Sequence, residues 1–291
     1  MTRNFCLLLV LFLAAPTIAE KPWFYPRASS KAYANPYLTP RRALQGEWSH
    51  RFEGQLVLWH GVASNVHRDE PQSLQLETAS GAVPVKFSRK VKNLQADRQG
   101  ATMAIKGFVR RTDDGRVYLE GRSAIPWRPA GGFVAGRPLL EQWVDFQSPE
   151  LPAATRQRIA AAIQREAGAN GVDPLFLTAL IQVESGFDPE AVSVSGAQGL
   201  GQLMPTTAQG LGVNPHDIDG NVKGCARMVA GLLQRYAHRS DGKALVLASY
   251  NAGPNLVARI QSVPHYEQTV NYVFFIGSLY HDLKKQEDLL K

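Results

Sequence analysis

Cysteine is scarce in this chain, with two among 291 residues. Cys6 lies in the apolar N-terminal segment, and removal of that segment would leave Cys225 alone, which excludes an intramolecular disulfide framework. Cys225 lies on an apolar helical pattern without a neighbouring base. We therefore expect a buried, inert thiol rather than a nucleophile.

Metal and nucleotide motifs are also missing. The sequence contains no C-x-x-C, H-E-x-x-H or P-loop pattern, and His50, His60 and His67 lack the spacing of metal ligands. We expect neither a metal nor a cofactor. The apolar run near the N-terminus has roughly a dozen residues, which is too short to span a bilayer.

That run has the features of a secretory signal peptide. Arg3 precedes it and the small residue Ala19 follows it, which predicts cleavage after residues 1–19 and a periplasmic protein without a transmembrane span. A signal anchor is the alternative, whereas a lipoprotein signal is excluded because Cys6 precedes the apolar run. Residues 20–45 are rich in Pro, Ala, Ser and aromatic side chains and predict an extended segment.

The chain is short of acidic residues. It has 32 Lys and Arg against 25 Asp and Glu, a net charge of +7. Such a balance permits binding to polyanions, but ordinary solvated surfaces also produce it. For an exported protein the candidate anions are cell-wall peptides and lipid head groups, and charge alone does not choose between them.

Residues 46–128 have the pattern of a small β domain. Five short alternating segments are separated by turn signals, which predicts a small barrel or sandwich, with an oligonucleotide/oligosaccharide-binding (OB) type barrel as the first choice. Lys106, Phe108, Arg110 and Arg111 could form a basic face. We favour an ordinary solvated sheet face, because alternation places arginines outward on any half-buried strand.

The rest of the chain predicts helices. Residues 129–150 lack a period and are interpreted as a linker, and residues 151–291 carry apolar helical stripes, so the fold class is α+β with two domains. Asp173 followed by Pro174 predicts the N-cap and first turn of one helix. All motifs described below lie beyond residue 151, so we expect the helical part to act without the β domain.

Glu184 ends the apolar stripe of that helix. Burial against apolar side chains disfavours a carboxylate and raises its pKa, which suits a general acid near neutral pH. A usual glycoside hydrolase needs a second carboxylate. Glu190 and Asp217 are the next candidates, and Asp188 before Pro189 is more plausibly a turn former. Glu184 is therefore expected to act without a carboxylate partner.

Three motifs follow in order along the helical part: the Glu-Ser pair at 184–185, the Gly-Ala-x-Gly-Leu-x-Gln-Leu-Met-Pro run at 196–205 and the Tyr-Asn pair at 250–251. Together they resemble the soluble lytic transglycosylase family, whose helical domain is goose-lysozyme-like. The resemblance implies that one glutamate protonates the oxygen between N-acetylmuramic acid and N-acetylglucosamine in peptidoglycan. The same group then takes the proton of the muramic C6 hydroxyl, which closes a 1,6-anhydro ring without water.

The resemblance also implies roles for neutral side chains around Glu184. Ser193, Gln202, Met204 and Tyr250 match substrate-binding positions, with the Tyr250 hydroxyl directed to the glutamate or to the acetamido group of the sugar. Weaker candidates are Ser185, Asn251 and Tyr272.

Two positions depart from the family pattern. Gly201 replaces a methionine, and we expect this change to widen or loosen the cleft. The later Glu-Thr motif has Gln268 at the usual glutamate position and Glu267 one residue earlier, which leaves the role of that position open.

Other function classes remain as alternatives. A lysozyme would use water and a second acid, and a non-catalytic peptidoglycan-binding protein would lack the glutamate. The partner of the β domain is an open question: an envelope, secretion or conjugation apparatus fits the habits of the family, whereas export argues against nucleic acid.

Overall fold

The architecture is taken from a computed structural model of the chain. The structure describes residues 43–44, 53–54, 56–78, 80–91, 94, 98–129 and 131–291. The predicted signal peptide and almost all of the extended segment lie outside the described residues. Among the described helices, none has the length and hydrophobicity that a membrane crossing requires.

The N-terminal part is a five-stranded closed barrel. Its strands are β1 (Leu56–His67), β2 (Ser73–Thr78), β3 (Gly81–Phe87), β4 (Thr102–Arg111) and β5 (Val117–Arg128). The order around the barrel is β1-β2-β3-β5-β4, with β3 and β5 parallel and the other described pairs antiparallel. All five predicted strands are confirmed, and the barrel is the architecture that we placed first.

Alternation of side chains builds the barrel core. On β2, Leu74 and Leu76 point inward and are buried, and on β3 the same holds for Val83 and Val85. The intervening side chains are more exposed. A period of two residues places every second side chain inside a small barrel, so the alternating pattern was a reliable signal.

The C-terminal part consists of helices. They are α1 (Leu139–Gln147), α2 (Ala153–Ala169), α3 (Pro174–Ser185), α4 (Pro205–Leu211), α5 (Ile218–Arg235), α6 (Gly242–Ala252), α7 (Pro254–Ile260) and α8 (Glu267–Leu290). The fold class is α+β, as predicted. Helices α3 and α8 pack together, as do α2 and α5, and α6 packs on α8.

Two aspartate side chains have the structural roles that their sequence positions predict. Asp173 caps α3 by accepting a hydrogen bond from the Leu175 amide, with Pro174 in the first turn. The Asp188 side chain accepts from the Glu190 amide at 3.0 Å and closes a turn, which confirms its interpretation as a turn former.

Helix α1 lies within the segment interpreted as a linker. Leu139, Leu140, Trp143 and Val144 are all buried in the core of the helical part. The segment between the barrel and α2 is therefore a packed helix over residues 139–147 rather than an irregular connection.

The barrel packs directly against this helical core. Trp127 at the end of β5 is buried in the same apolar cluster as Trp143. The Arg98 guanidinium donates to the Phe146 carbonyl at 2.7 Å and lies 4.9 Å from that ring. Hydrogen bonds and apolar packing thus hold α1 between the barrel and the other helices, and this arrangement creates a cleft between the two parts.

Candidate active site

Glu184 lies in the last turn of α3, next to the end of the helix. Gly186 follows in the left-handed conformation, with φ 63°, and its amide donates to the Gln182 carbonyl. Glycine adopts this conformation without the steric cost that a Cβ imposes, so the helix ends at Ser185, one residue after the glutamate. The Glu184 carboxyl group therefore lies at the C-terminal end of α3, where it lines the cleft.

The electrostatics of Glu184 are unusual for a carboxyl group. Burial raises its pKa from 4.5 to about 7, and a hydrogen bond from the Tyr272 hydroxyl to Glu184 Oε1 opposes the shift in part. The C-terminal end of a helix also disfavours a negative charge. The group can consequently carry a proton near neutral pH and release it without a large cost, which is the property of an acid that later serves as a base.

The cleft beside Glu184 has a volume of about 870 Å³ and is bounded by both parts of the molecule. On the helical side its polar lining is mostly neutral. We call this side the amide face: Gln182, Ser185, Asn251, Gln268, Asn271 and Tyr272. The barrel contributes basic and apolar side chains opposite. We expected the helical part to act without the barrel, but residues of both parts line this cleft.

One stripe of α8 supplies much of the amide face. Gln268, Asn271, Tyr272 and Phe275 all line the cleft and are separated by the i, i+3, i+4, i+7 spacing of a single helix surface. Gln268 therefore faces the cleft. Sequence reasoning missed Asn271 and Phe275, although the spacing from the motif tyrosine could have found both.

Tyr250 is placed differently from the prediction. Its hydroxyl donates to the Gly201 carbonyl at 2.6 Å and lies 3.3 Å from Cys225 Sγ. Tyr272, which was a weaker candidate, makes the hydrogen bond to Glu184 instead. Tyr250 thus supports the loop that contains Gly201, while its ring packs against the helical core.

Gly201 does not loosen the cleft, so that expectation is wrong. A Cβ at this position would lie 2.9 Å from Cys225 Cβ and 3.2 Å from the Tyr250 hydroxyl oxygen. These two side chains already fill the space that a larger residue would need. Cys225 is fully buried, which confirms the predicted burial, and burial raises its thiol pKa to about 12.

Ser193 and Gln202 shape the loop between α3 and α4. Ser193 Oγ accepts from the Ala197 amide at 2.9 Å, and the Gln202 side chain donates to the carbonyls of Ala191 and Gly199 at 3.0 and 2.9 Å. Met204 precedes α4 and is 41% exposed. These three residues lie together on this loop, but they are not part of the cleft lining around Glu184.

Asn221 anchors the same loop and was missed by sequence reasoning. This fully buried side chain accepts from the Gly201 amide at 2.7 Å and donates to the carbonyls of Gln198 and Pro215 at 2.8 Å. A buried amide with its hydrogen bonds satisfied fixes backbone geometry. An asparagine inside an apolar helical pattern was the available signal.

Ser185 and Asn251 both line the cleft. Ser185 Oγ donates to the Ile181 carbonyl at a long distance of 3.4 Å, and Asn251 Oδ1 accepts from the Thr269 hydroxyl at 2.9 Å. The Asn251 amide nitrogen is thereby directed by a neighbour on α8. Both side chains thus have a neighbouring protein partner as well as a place in the cleft lining.

A second carboxylate also lines the cleft. Glu150, at the connection between α1 and α2, is exposed and lies on the cleft boundary. The acids considered from the sequence lie elsewhere: Asp188 closes a turn, and Asp217 caps α5 and pairs with Arg158 at 2.7 Å. The Glu267 side chain lies outside the described part of the structure.

The structure thus places a buried glutamate with a raised pKa in a cleft between the barrel and the helices. A family model described as "Transglycosylase SLT domain" matches residues 161–271. The endo-type membrane-bound lytic murein transglycosylase A of Klebsiella pneumoniae is 43% identical over 61 residues, which are 21% of this chain and 30% of that protein. Residues 161–271, which are less than half of the chain, are thus similar to a transglycosylase SLT domain.

Two further similarities differ in extent. The membrane-bound lytic murein transglycosylase C of Histophilus somni is 27% identical over 198 residues, which are 62% of this chain and 52% of that protein. The aligned part of this chain, 62% of its length, contains more residues than the range 139–291, so this similarity extends into the barrel. A solved lytic transglycosylase Slt from Pseudomonas aeruginosa has 23% identity and a TM-score of 0.39, covering 50% of this chain and 26% of that one. The chain thus spans about a third to a half of the length of the two sequence relatives.

Proposed function

We propose that the protein is a peptidoglycan lytic transglycosylase that cleaves the β-1,4 bond between N-acetylmuramic acid and N-acetylglucosamine and leaves a 1,6-anhydromuramic end. One observation carries this proposal: Glu184, with a pKa of about 7, faces a cleft whose helical side is lined mainly by neutral amides and hydroxyls. The family match at residues 161–271 supports it.

In the first step the protonated Glu184 carboxyl donates its proton to the glycosidic oxygen while the bond from that oxygen to muramic C1 breaks. The N-acetylglucosamine leaves as an alcohol. The 2-acetamido group of the muramic residue stabilises the positive charge at C1, as in substrate-assisted glycosidases. Tyr272 stabilises the new carboxylate by donating a hydrogen bond to it.

In the second step the Glu184 carboxylate takes the proton of the C6 hydroxyl, and the C6 oxygen bonds to C1. The glutamate returns to its protonated form, so one group completes the cycle without water. A pKa of about 7 suits both halves, since the same group must give and accept a proton at similar cost.

Digestion of purified peptidoglycan tests this proposal. The wild-type protein should release muropeptides lighter by one water than the hydrolytic products, and Glu184→Gln should release none above background. Products with reducing muramic ends would replace the proposal with hydrolysis. Absence of any glycan cleavage by a folded wild-type protein would leave a peptidoglycan-binding role instead.

A hydrolytic muramidase is the second candidate, and Glu150 is the observation that favours it. Its exposed carboxylate lines the same cleft as Glu184 and is available to activate water. Glu150→Gln should therefore abolish activity in a muramidase and leave a transglycosylase active. Glu190→Gln is the matched control, because Glu190 is exposed and lies outside the cleft lining.

The cellular setting is also a proposal. A periplasmic location fits the predicted signal peptide, and both sequence relatives are named as membrane-bound murein transglycosylases. Opening of the wall for an envelope-spanning apparatus would follow if the barrel binds a component of such a machine. Fractionation of cells that express the full chain tests the location, and crosslinking from the barrel surface tests the partner.

A further inference from the structure

The two sides of the cleft differ in charge. The amide face is mostly neutral, whereas three cations stand on the barrel side and form what we call the cationic face: Lys90, Lys106 and Arg122. Arg98 also lines the cleft, but its guanidinium donates to the carbonyls of Phe146 and Gln147 and so holds α1 in place. It is therefore left out of the cationic face.

Local packing holds two of these cations toward the cleft. Lys106 Nζ lies 5.5 Å from the centre of the Phe275 ring on α8, and the Arg122 guanidinium lies 5.1 Å from the Phe108 ring. Lys106 is paired across β4 and β5 with Ser123, the residue that follows Arg122. The register shifts at this point, between Lys106 and Gly107. A β-bulge changes the direction of nearby side chains. Here Lys106 and Arg122 lie next to the register shift and both line the cleft.

Two cations of the barrel that lie outside the cleft have close acidic partners. Arg110 pairs with Glu120 at 2.8 Å and Arg116 pairs with Asp114 at 2.7 Å. Arg122 shares Glu120 at the longer distance of 3.4 Å. Lys90 is exposed and has no ion pair with any residue that the structure describes.

The described acids of the cleft lining do not balance the positive charge of the cationic face. Among the residues that the structure describes there, Glu150 and Glu184 are the carboxyl groups, and Glu184 is partly protonated near neutral pH. A glycan backbone offers hydroxyls and acetamido groups, which match the amide face but give the cations no partner. Peptidoglycan differs from a plain glycan in carrying peptides with free carboxylates.

We propose that the cationic face of Lys90, Lys106 and Arg122 binds the carboxylates of the acidic peptides attached to the glycan, while the amide face holds the sugars. This inference rests on the proposed function and assigns the barrel a part in substrate selection. Opposite charges across an interface increase the encounter rate and fix the register of the bound partner. The peptide therefore sets which glycosidic bond lies at Glu184.

Nucleic acid fits the cationic face less well. Single strands bind by stacking their bases on open aromatic rings. Here the guanidinium groups of Arg110 and Arg122 both lie near the Phe108 ring, and Phe275 on α8 is buried with 7% exposure. Neither ring presents a free surface to a base.

A matched pair of substrates tests the proposal: intact peptidoglycan, and the same material with its peptide carboxylates converted to amides. The wild-type kcat/KM should fall about tenfold on amidation. The double variant Lys106→Gln/Arg122→Gln should cleave both substrates at the slower rate. Arg116→Gln, an exposed cation of the same barrel outside the cleft, should behave as wild type.

Each contrary outcome is distinct. Equal rates of the wild type on both substrates, or a double variant that still discriminates, would overturn the proposal. A double variant whose kcat/KM falls by the same factor, relative to the wild type, on both substrates would also overturn it. The same holds if a single-stranded oligonucleotide inhibits the wild type but not the double variant. Absence of anhydro products from either substrate would instead contradict the proposed function. Melting temperatures near that of the wild type would show that the variants fold.

Discussion

The barrel and the helical part meet at one cleft but contribute different chemistry to it. The helices supply one protonatable carboxyl group among amides and hydroxyls, and the barrel supplies cations. Catalysis by a single acid needs a defined pKa, which burial provides locally. Recognition of a long charged polymer needs spaced charges, which an adjoining domain can present. Under the proposed function, the barrel takes part in the active site without contributing a catalytic residue.

The largest effect should come from Glu184→Gln. We expect the rate of glycan cleavage to fall about 1,000-fold or more, because the removed group acts as both acid and base. Product formation from sacculi measures this. The variant should still bind peptidoglycan through the cationic face, and retention of a tenth of the wild-type rate would show that another group donates the proton.

The same substitution should change stability with pH. The folded protein holds the Glu184 proton more tightly than the unfolded chain, so the wild type loses stability as pH rises from about 4.5 to about 7. The glutamine variant has no such proton. The melting temperature of the variant minus that of the wild type should therefore increase from pH 5 to pH 8. A difference that stays constant over this range would contradict the raised pKa of Glu184.

Tyr272→Phe should have the next largest effect. Loss of its hydrogen bond destabilises the Glu184 carboxylate, so the pKa should rise further and the rate at pH 7 should fall about tenfold. The wild-type kcat/KM should decline above about pH 7, as the acid loses its proton, and this decline should start at higher pH in the variant. Tyr250→Phe is the comparison: its hydroxyl bonds Gly201, so it should lower stability without moving the pH profile.

Gly201→Ala should affect stability rather than the acid. The new Cβ would press on Cys225 and Tyr250, at a cost of about 1 to 3 kcal/mol in the free energy of unfolding. Gly210→Ala is the control, since nothing lies within 4 Å of its Cβ position, and alanine favours the helix. Denaturant unfolding of both variants checks the contrast, and equal effects would show that the space at Gly201 is open.

Glu150→Gln should have the smallest effect. A transglycosylase needs no water-activating carboxylate, so the rate should change less than about twofold. Turnover on sacculi measures it beside Glu190→Gln. A collapse of the rate for the first variant alone would assign the second carboxylate of a hydrolase to Glu150.

The sequence predicted the local features of both parts. Strand alternation, the Asp173 cap and the burial of Cys225 depend on neighbours along the chain, and each is confirmed. Helix α1 was missed because it follows a Gly/Pro-rich stretch, although Leu139, Leu140, Trp143 and Val144 have helical spacing. The seven residues of α4 were too few to show a period.

Contacts between distant segments were beyond the sequence. No local pattern predicts that the Tyr272 hydroxyl, rather than the Tyr250 hydroxyl, donates a hydrogen bond to Glu184. This contact depends on how α8 packs against α3. The shared cleft likewise depends on Trp127 packing into the helical core. The motifs therefore indicated the acid, whereas tertiary packing decided its partners.

Digestion of peptidoglycan in water enriched in ¹⁸O tests the central claim most directly. If Glu184 alone serves as acid and base, the muramic ends of the wild-type products should be anhydro and contain no heavy oxygen, because the C6 oxygen of the substrate closes the ring. Glu150→Gln should give the same products. Reducing ends that carry ¹⁸O at C1 would show that water attacks, and would contradict the account of a single catalytic carboxyl group.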